Sequence, residues 1–141
     1  MSAITIRSKL KTILDTVSAS VLPLKYNYGE TLPTSFPAGM ILYRGEGEEE
    51  QIDTVNNLIP QRFIIRIVFP MAESETFETK RITLVDTIKD EFRKDDHQTL
   101  TGSAINVRTG EVAIYETDQY VQPVVVCDIL LTISVIKPIN A

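Results

Sequence analysis

The 141-residue chain has one cysteine, Cys127, and one histidine, His97. A lone cysteine excludes an intramolecular disulfide. One cysteine and one histidine also leave too few soft ligands for a His/Cys metal centre. Long apolar runs are missing: the longest aliphatic stretch around Cys127 is Val124–Val126, far short of a membrane-spanning helix. The N-terminal segment places Arg7, Lys9 and Lys11 among its apolar positions, so no signal-peptide core is expected. Basic residues are the minority, fourteen Lys and Arg against nineteen Asp and Glu, for a net charge of −5. What is present is ordinary for a soluble domain: 43% hydrophobic and 23% charged residues. A chain of this size buries about 68–70% of its unfolded surface and needs no staple to fold. Composition thus predicts one acidic domain over 1–141, made in a reducing cytosol.

Two stretches carry helical periodicity. From Ala3 to Val21, Ile6, Leu10, Ile13, Leu14, Val17 and Val21 draw one stripe, with Ser2 as N-cap and Leu22-Pro23 as the stop. From Ser74 to Lys94 the stripe is Phe77, Leu84, Val85, Ile88 and Phe92. Glu73, Glu75 and Glu78 crowd its start and Lys89, Arg93 and Lys94 its end, as the helix dipole favours.

The remainder reads as strands and loops. Lys25–Tyr28 and Gly39–Arg44 are short strand candidates. Arg62 to Phe69 alternates most clearly: Phe63, Ile65, Ile67 and Phe69 share one face, Arg62, Ile64, Arg66 and Val68 the other. Pro60 and Pro70 bracket this strand, and Arg62 and Arg66 give its second face charges that suit solvent or a partner. Ala104–Arg108 and Val112–Glu116 flank Thr109-Gly110, which predicts a hairpin turn. Val121 to Ile136 is a long final strand stopped by Pro138. Between the strands, Gly45-Glu46-Gly47-Glu48-Glu49-Glu50 predicts an exposed acidic loop over about 45–58. The order of elements predicts an α+β fold, a mainly antiparallel sheet packed against two amphipathic helices.

The chemistry-bearing residues do not converge. Asp95-Asp96-His97 sets three potential ligands in a row, but adjacent residues rarely meet at one ion, so a solvated helix end is the expectation. Cys127, mid-strand among valines, reads as a small buried hydrophobe. Gly45-Glu46-Gly47 would repel phosphate rather than cradle it. Lys80-Arg81 and Lys89/Arg93/Lys94 are interleaved with acids and form no basic patch for nucleic acid. No catalytic residue, cofactor site or metal site is predicted.

Taken in order, the elements resemble the tail terminator (tail completion) proteins of tailed bacteriophages, a small neck-region family. The features that carry the resemblance are the helix Ile4–Val21, the connection Leu32-Pro33-Thr34-Ser35-Phe36-Pro37, and the strand Phe63–Phe69 running into the helix Phe77–Phe92. The piece Thr99–Ala104 and the closing strand Val124–Ile136 complete it. The resemblance implies a non-enzymatic virion protein that forms a ring, usually of six. Such a ring caps the head-proximal end of the tail tube, ends tube polymerisation and offers a surface for head joining. It implies as partners other copies of the chain, the major tail tube protein and a head-completion or connector protein. Duplex DNA passes through the lumen without specific binding, and no membrane or cofactor is involved. A compact subunit of this length is about 35 Å across, and six equal spheres in a closed ring leave a hole of about the same width. Under this reading Glu46, Glu48, Glu49 and Glu50 line the lumen or order against a neighbour, and Arg62 and Arg66 are interface charges. The alternatives are another head–tail connector and an unrelated small cellular binding domain.

Overall fold

The computed structural model describes residues 3–18, 22–26, 37–71, 75–94, 106–118, 120 and 123–138, apart from the side chains of 75–77, 106, 137 and 138. The element order is α1 (Ala3–Leu14), β1 (Leu24–Tyr26), β2 (Ala38–Glu46), β3 (Glu50–Gln51), β4 (Asn56–Pro70), α2 (Glu75–Arg93), β5 (Asn106–Thr117) and β6 (Val124–Pro138). The six strands form one sheet in the order β1-β2-β4-β6-β5, with β3 also paired to β4. Among the described residues only β1–β2 is parallel, and the other pairings are antiparallel. The fold is therefore α+β, two helices on a mixed, mostly antiparallel sheet.

Both helices lie on one face. Ile6, Leu10, Ile13 and Leu14 of α1, with Leu84, Val85, Ile88 and Phe92 of α2, join one buried cluster with Phe63, Ile65, Ile67 and Phe69 of β4. From β6 the same cluster takes Cys127, Ile129, Leu131, Ile133 and Val135. Full burial of each large side chain is worth about 1.5–3 kcal/mol, so the period-two strands and the helical stripes meet in the main store of stability. The opposite, outer face has a smaller buried cluster of Met40, Val68, Val124 and Val126, with Tyr26, Leu42 and Tyr120 packed against it.

Several elements end elsewhere than their patterns predict. Helix α1 stops at Leu14 rather than Val21. The Thr16 hydroxyl and amide both donate to the Ile13 carbonyl, at 2.6 and 3.0 Å, and Val17 N–H donates to Leu14 O at 3.1 Å. Such a tightened turn closes the helix, and a threonine competing for a backbone carbonyl drives it. Val17 and Leu22 are still buried in the core. No hairpin turn forms at Thr109-Gly110: β5 is one continuous strand along β6, with a bulge between Thr109 and Val112. A glycine inside a strand marks a bulge as readily as a turn.

Strand β4 begins at Asn56, so Pro60 lies inside it rather than bracketing it. The Pro60 carbonyl accepts from Gly47 N–H at 2.7 Å, so its missing N–H faces the break between β2 and β3, where no ladder partner is needed. Ser2, Val21, residues 27–36, Glu73, Ser74, Asp95-Asp96-His97 and Thr99–Ala104 lie outside the described residues.

Candidate interaction surface

The outer face is ordered in cross-strand rows by the register of β2, β4, β6 and β5. One row is Met40–Arg66–Asp128–Ala113, and another is Gly45–Arg62–Thr132–Arg108, which crosses the sheet from edge to edge. Arg66, expected as an interface charge, is bonded within the chain to Asp128. Its Nε and Nη2 donate to the two Asp128 carboxylate oxygens at 2.8 and 3.0 Å, and the Tyr115 hydroxyl donates to Oδ2 at 2.8 Å. This two-pronged pair is mostly sequestered from water, and the geometry is the strong form of an arginine–carboxylate contact. The hydrogen bonds it donates to Asp128 hold the Arg66 guanidinium firmly charged. Burial first, and then the bond to Asp128, push the Tyr115 phenol up to about 12. Arg62, the other expected charge, is exposed, and it lies beside Gly47.

The glutamate stretch is more structured than a loop. Strand β2 runs through Glu46, β3 pairs with β4 at Leu58 and Asn57, and a turn over Ile52–Asn56 joins β3 to β4. Asp53 closes that turn: its Oδ1 accepts from Val55 and Asn56 N–H at 2.8 and 2.7 Å, which lowers the pKa of its carboxyl. Two glutamates are fastened to the sheet. Glu46 accepts from Gln61 Nε2 at 3.0 Å, and Glu49 accepts from Asn57 Nδ2 at 2.8 Å. Gln61 is buried, and its Oε1 accepts from the Tyr43 hydroxyl at 2.8 Å, so this polar chain is paired at both ends. Glu48 and Glu50 are exposed and line a hollow of about 350 Å³ on the outer face, which reaches across Leu58 and Thr132 to Arg108.

Two glycines shape this edge. Gly45 has φ of 91° at the β2 bulge, a conformation that side chains resist. A Cβ at Gly47 would come within 2.6 Å of Pro60 Cγ, so the backbone passes too close for any side chain.

At the opposite edge, α2 and β5 border a groove of about 290 Å³ lined by Val85, Val112 and the exposed Ile82 and Ile114, with Cys127 and Lys89 also present. Burial raises the pKa of the Cys127 thiol, in keeping with a structural cysteine. Among the described residues, no three His, Cys, Asp or Glu side chains cluster as a metal site would require. No helix among them is long and apolar enough to cross a membrane.

The four glutamates predicted as one unit thus lie along one sheet edge, while Arg66 belongs to a separate internal network. Sequence reasoning missed Asp128, Tyr115, Gln61 and Arg108. The available signal was a charged or amide residue inside an apolar strand: Asp128 interrupts Val124–Leu131, and Gln61 opens the Phe63–Phe69 alternation on its apolar side. Comparison with known protein families and with curated proteins finds no match.

Proposed function

We propose that this chain is a structural subunit of a tailed-phage virion, a tail terminator that closes into a ring of six on the head-proximal end of the tail tube. The ring ends tube polymerisation, receives the head-completion protein and lets duplex DNA pass. The observation that supports assembly is where large apolar side chains meet solvent. Ile82 (54% exposed) and Ile114 (63%) lie at the α2–β5 edge of the sheet, and Ile52 (45%) and Val55 (60%) lie in the β3–β4 turn at the end of the central strand β4. Apolar surface at two separate places on one subunit suits a head-to-tail contact, which closes rings when the rotation allows. The buried charges favour a structural role, since Arg66, Asp128 and Tyr115 are engaged with one another. The link to the tail rests on the order of helices and strands that the sequence shares in outline with tail terminators.

Electron microscopy of polymerised tail tubes mixed with the purified protein tests this reading. The expected result is tubes bearing a ring at one end that no longer lengthen when tube subunits are added. Tubes that elongate unchanged would overturn it. Binding to portal-side particles with unaltered tubes would assign the chain to the head-completion adaptors.

A further inference from the structure

The hollow on the outer face has a polar floor, formed by Thr132 and Ser134 of β6. Ser134 is nine-tenths buried, yet its hydroxyl lines the hollow and has no hydrogen-bond partner among the described residues. Buried hydroxyls are normally paired, so one that opens unpaired into a hollow points to a ligand group that completes it. The walls carry opposite charge. Glu48 and Glu50 stand on the β3 side and Arg108 on the β5 side, and none of the three is ion-paired among the described residues. They are too far apart to neutralise one another. Glu50 is level with Leu58 and Arg108 with Arg62, so three strand spacings and four residues separate their backbones by about 20 Å. Side chains turned inward from both walls cover about half of that distance.

We propose that this hollow binds a zwitterion whose ammonium and carboxylate are separated by about 10 Å, the span of a three-residue peptide with both ends free. The ammonium sits between Glu48 and Glu50, the carboxylate takes the two-pronged bond that Arg108 offers, and a polar group midway pairs with the Ser134 hydroxyl. The arrangement of charges selects this class. A plain cation would meet the Arg108 guanidinium with the wrong sign, and a plain anion would meet two carboxylates. An uncharged ligand would cover all three charges and answer none of them, which costs free energy. A ligand with one charge of each sign at its ends answers both walls. The amides of an extended tripeptide fall over the floor, where each can donate to or accept from a hydroxyl of Ser134 or Thr132. The volume of about 350 Å³ is in the range of small-molecule sites. Leu58 and Pro60 supply apolar lining on the β4 side. The site is complete within one subunit, so it stands apart from the ring reading and does not depend on it.

An NMR titration of the full chain with triglycine tests the assignment, with N-acetyl-triglycine and triglycinamide as ligands that lack one charge each. Triglycine is expected to give saturable shifts at Glu48, Glu50, Arg108, Thr132 and Ser134. Each capped peptide should bind at least about fivefold more weakly. The variant Glu48→Gln/Glu50→Gln should weaken triglycine by at least about fivefold and leave N-acetyl-triglycine unchanged, since that ligand has no ammonium to lose. Arg108→Gln should weaken triglycine by a similar factor and leave triglycinamide unchanged. Ser134→Ala should weaken all three peptides by about two- to fivefold, because every one of them offers the central amides. The absence of saturable shifts up to about 20 mM triglycine would overturn the proposal. So would a capped peptide that binds as well as triglycine, or shifts that cluster away from the hollow. Should a variant lose its thermal transition, the three peptides on the unaltered chain still decide the outcome. None of these results bears on tail capping, which the tube experiment reads separately.

Discussion

The two faces of the sheet use the same strands for different ends. Toward the helices, Phe63, Ile65 and Ile67 of β4 are fully buried in a continuous apolar cluster. On the outer face the same strand places exposed Arg62, partly buried Ile64, Arg66 bound to Asp128, and buried Val68 in turn. The first face is largely apolar and redundant, with the Tyr43–Gln61–Glu46 chain as a polar exception near the β2 edge. The second is a set of separate devices: a small apolar patch, a locked ion pair and an open charged row. Stability should therefore concentrate on the helix side, and recognition on the outer face and its edges.

The sharpest test of that division is Phe63→Ala. It removes a fully buried ring, one that also packs on Tyr43 at 5.1 Å, and should cost about 3–5 kcal/mol in denaturant unfolding. A loss below about 1 kcal/mol would mean that the helix side is not the main core.

Next in size is the locked pair. Arg66→Met leaves the Asp128 carboxylate with only its tyrosine donor, and about 2–4 kcal/mol is expected. The double variant Arg66→Met/Asp128→Leu should be more stable than Arg66→Met alone, since no orphaned charge remains. The reverse order would show that the Asp128 carboxylate is accommodated by its Tyr115 donor without the arginine.

At the acidic edge, Gly45→Val should cost about 1–2 kcal/mol by forcing a branched side chain to positive φ. Arg62→Ala, on the open row, should shift unfolding by less than about 0.5 kcal/mol. If Arg62→Ala matched Gly45→Val, the row would be part of the folding core rather than surface.

The smallest effect is a titration. Tyr115 has a pKa raised to about 12, so its contribution to stability is fully present below the unfolded value near 10 and fades as pH rises through about 12. Phenolate absorbance should show one late-titrating tyrosine that Tyr115→Phe removes. A titration curve unchanged by that substitution would contradict the bond to Asp128.

Much of the helix-side architecture was legible because it repeats. The β4 alternation and the α2 stripe each offer several residues that agree, and the inner face of the sheet follows from them. Single-residue decisions were harder to read. Thr109-Gly110 fits a turn or a bulge equally well locally, and only the pairing of both flanks with β6 decides. Thr16 ends α1 through one hydroxyl bond, ahead of the Leu22-Pro23 stop. The glutamate run was legible as exposed, yet its attachment to the sheet depends on Asn57 and Gln61, which offer amides only once β4 is in register. Arg66 and Asp128 are 62 positions apart, so each alone reads as a surface charge.

The antiparallel ladder between β4 and β6 pairs fifteen positions, from Asn56–Pro138 to Pro70–Val124, without a register shift. Its hydrogen bonds lie perpendicular to the strands. A force drawing the two strands past each other along their length must strain all these bonds together, whereas a force peeling them apart from one end breaks them singly. The subunit is therefore mechanically anisotropic, stiff along its strands and weak across them. A tension transmitted from one end of the sheet to the other would meet its strongest direction.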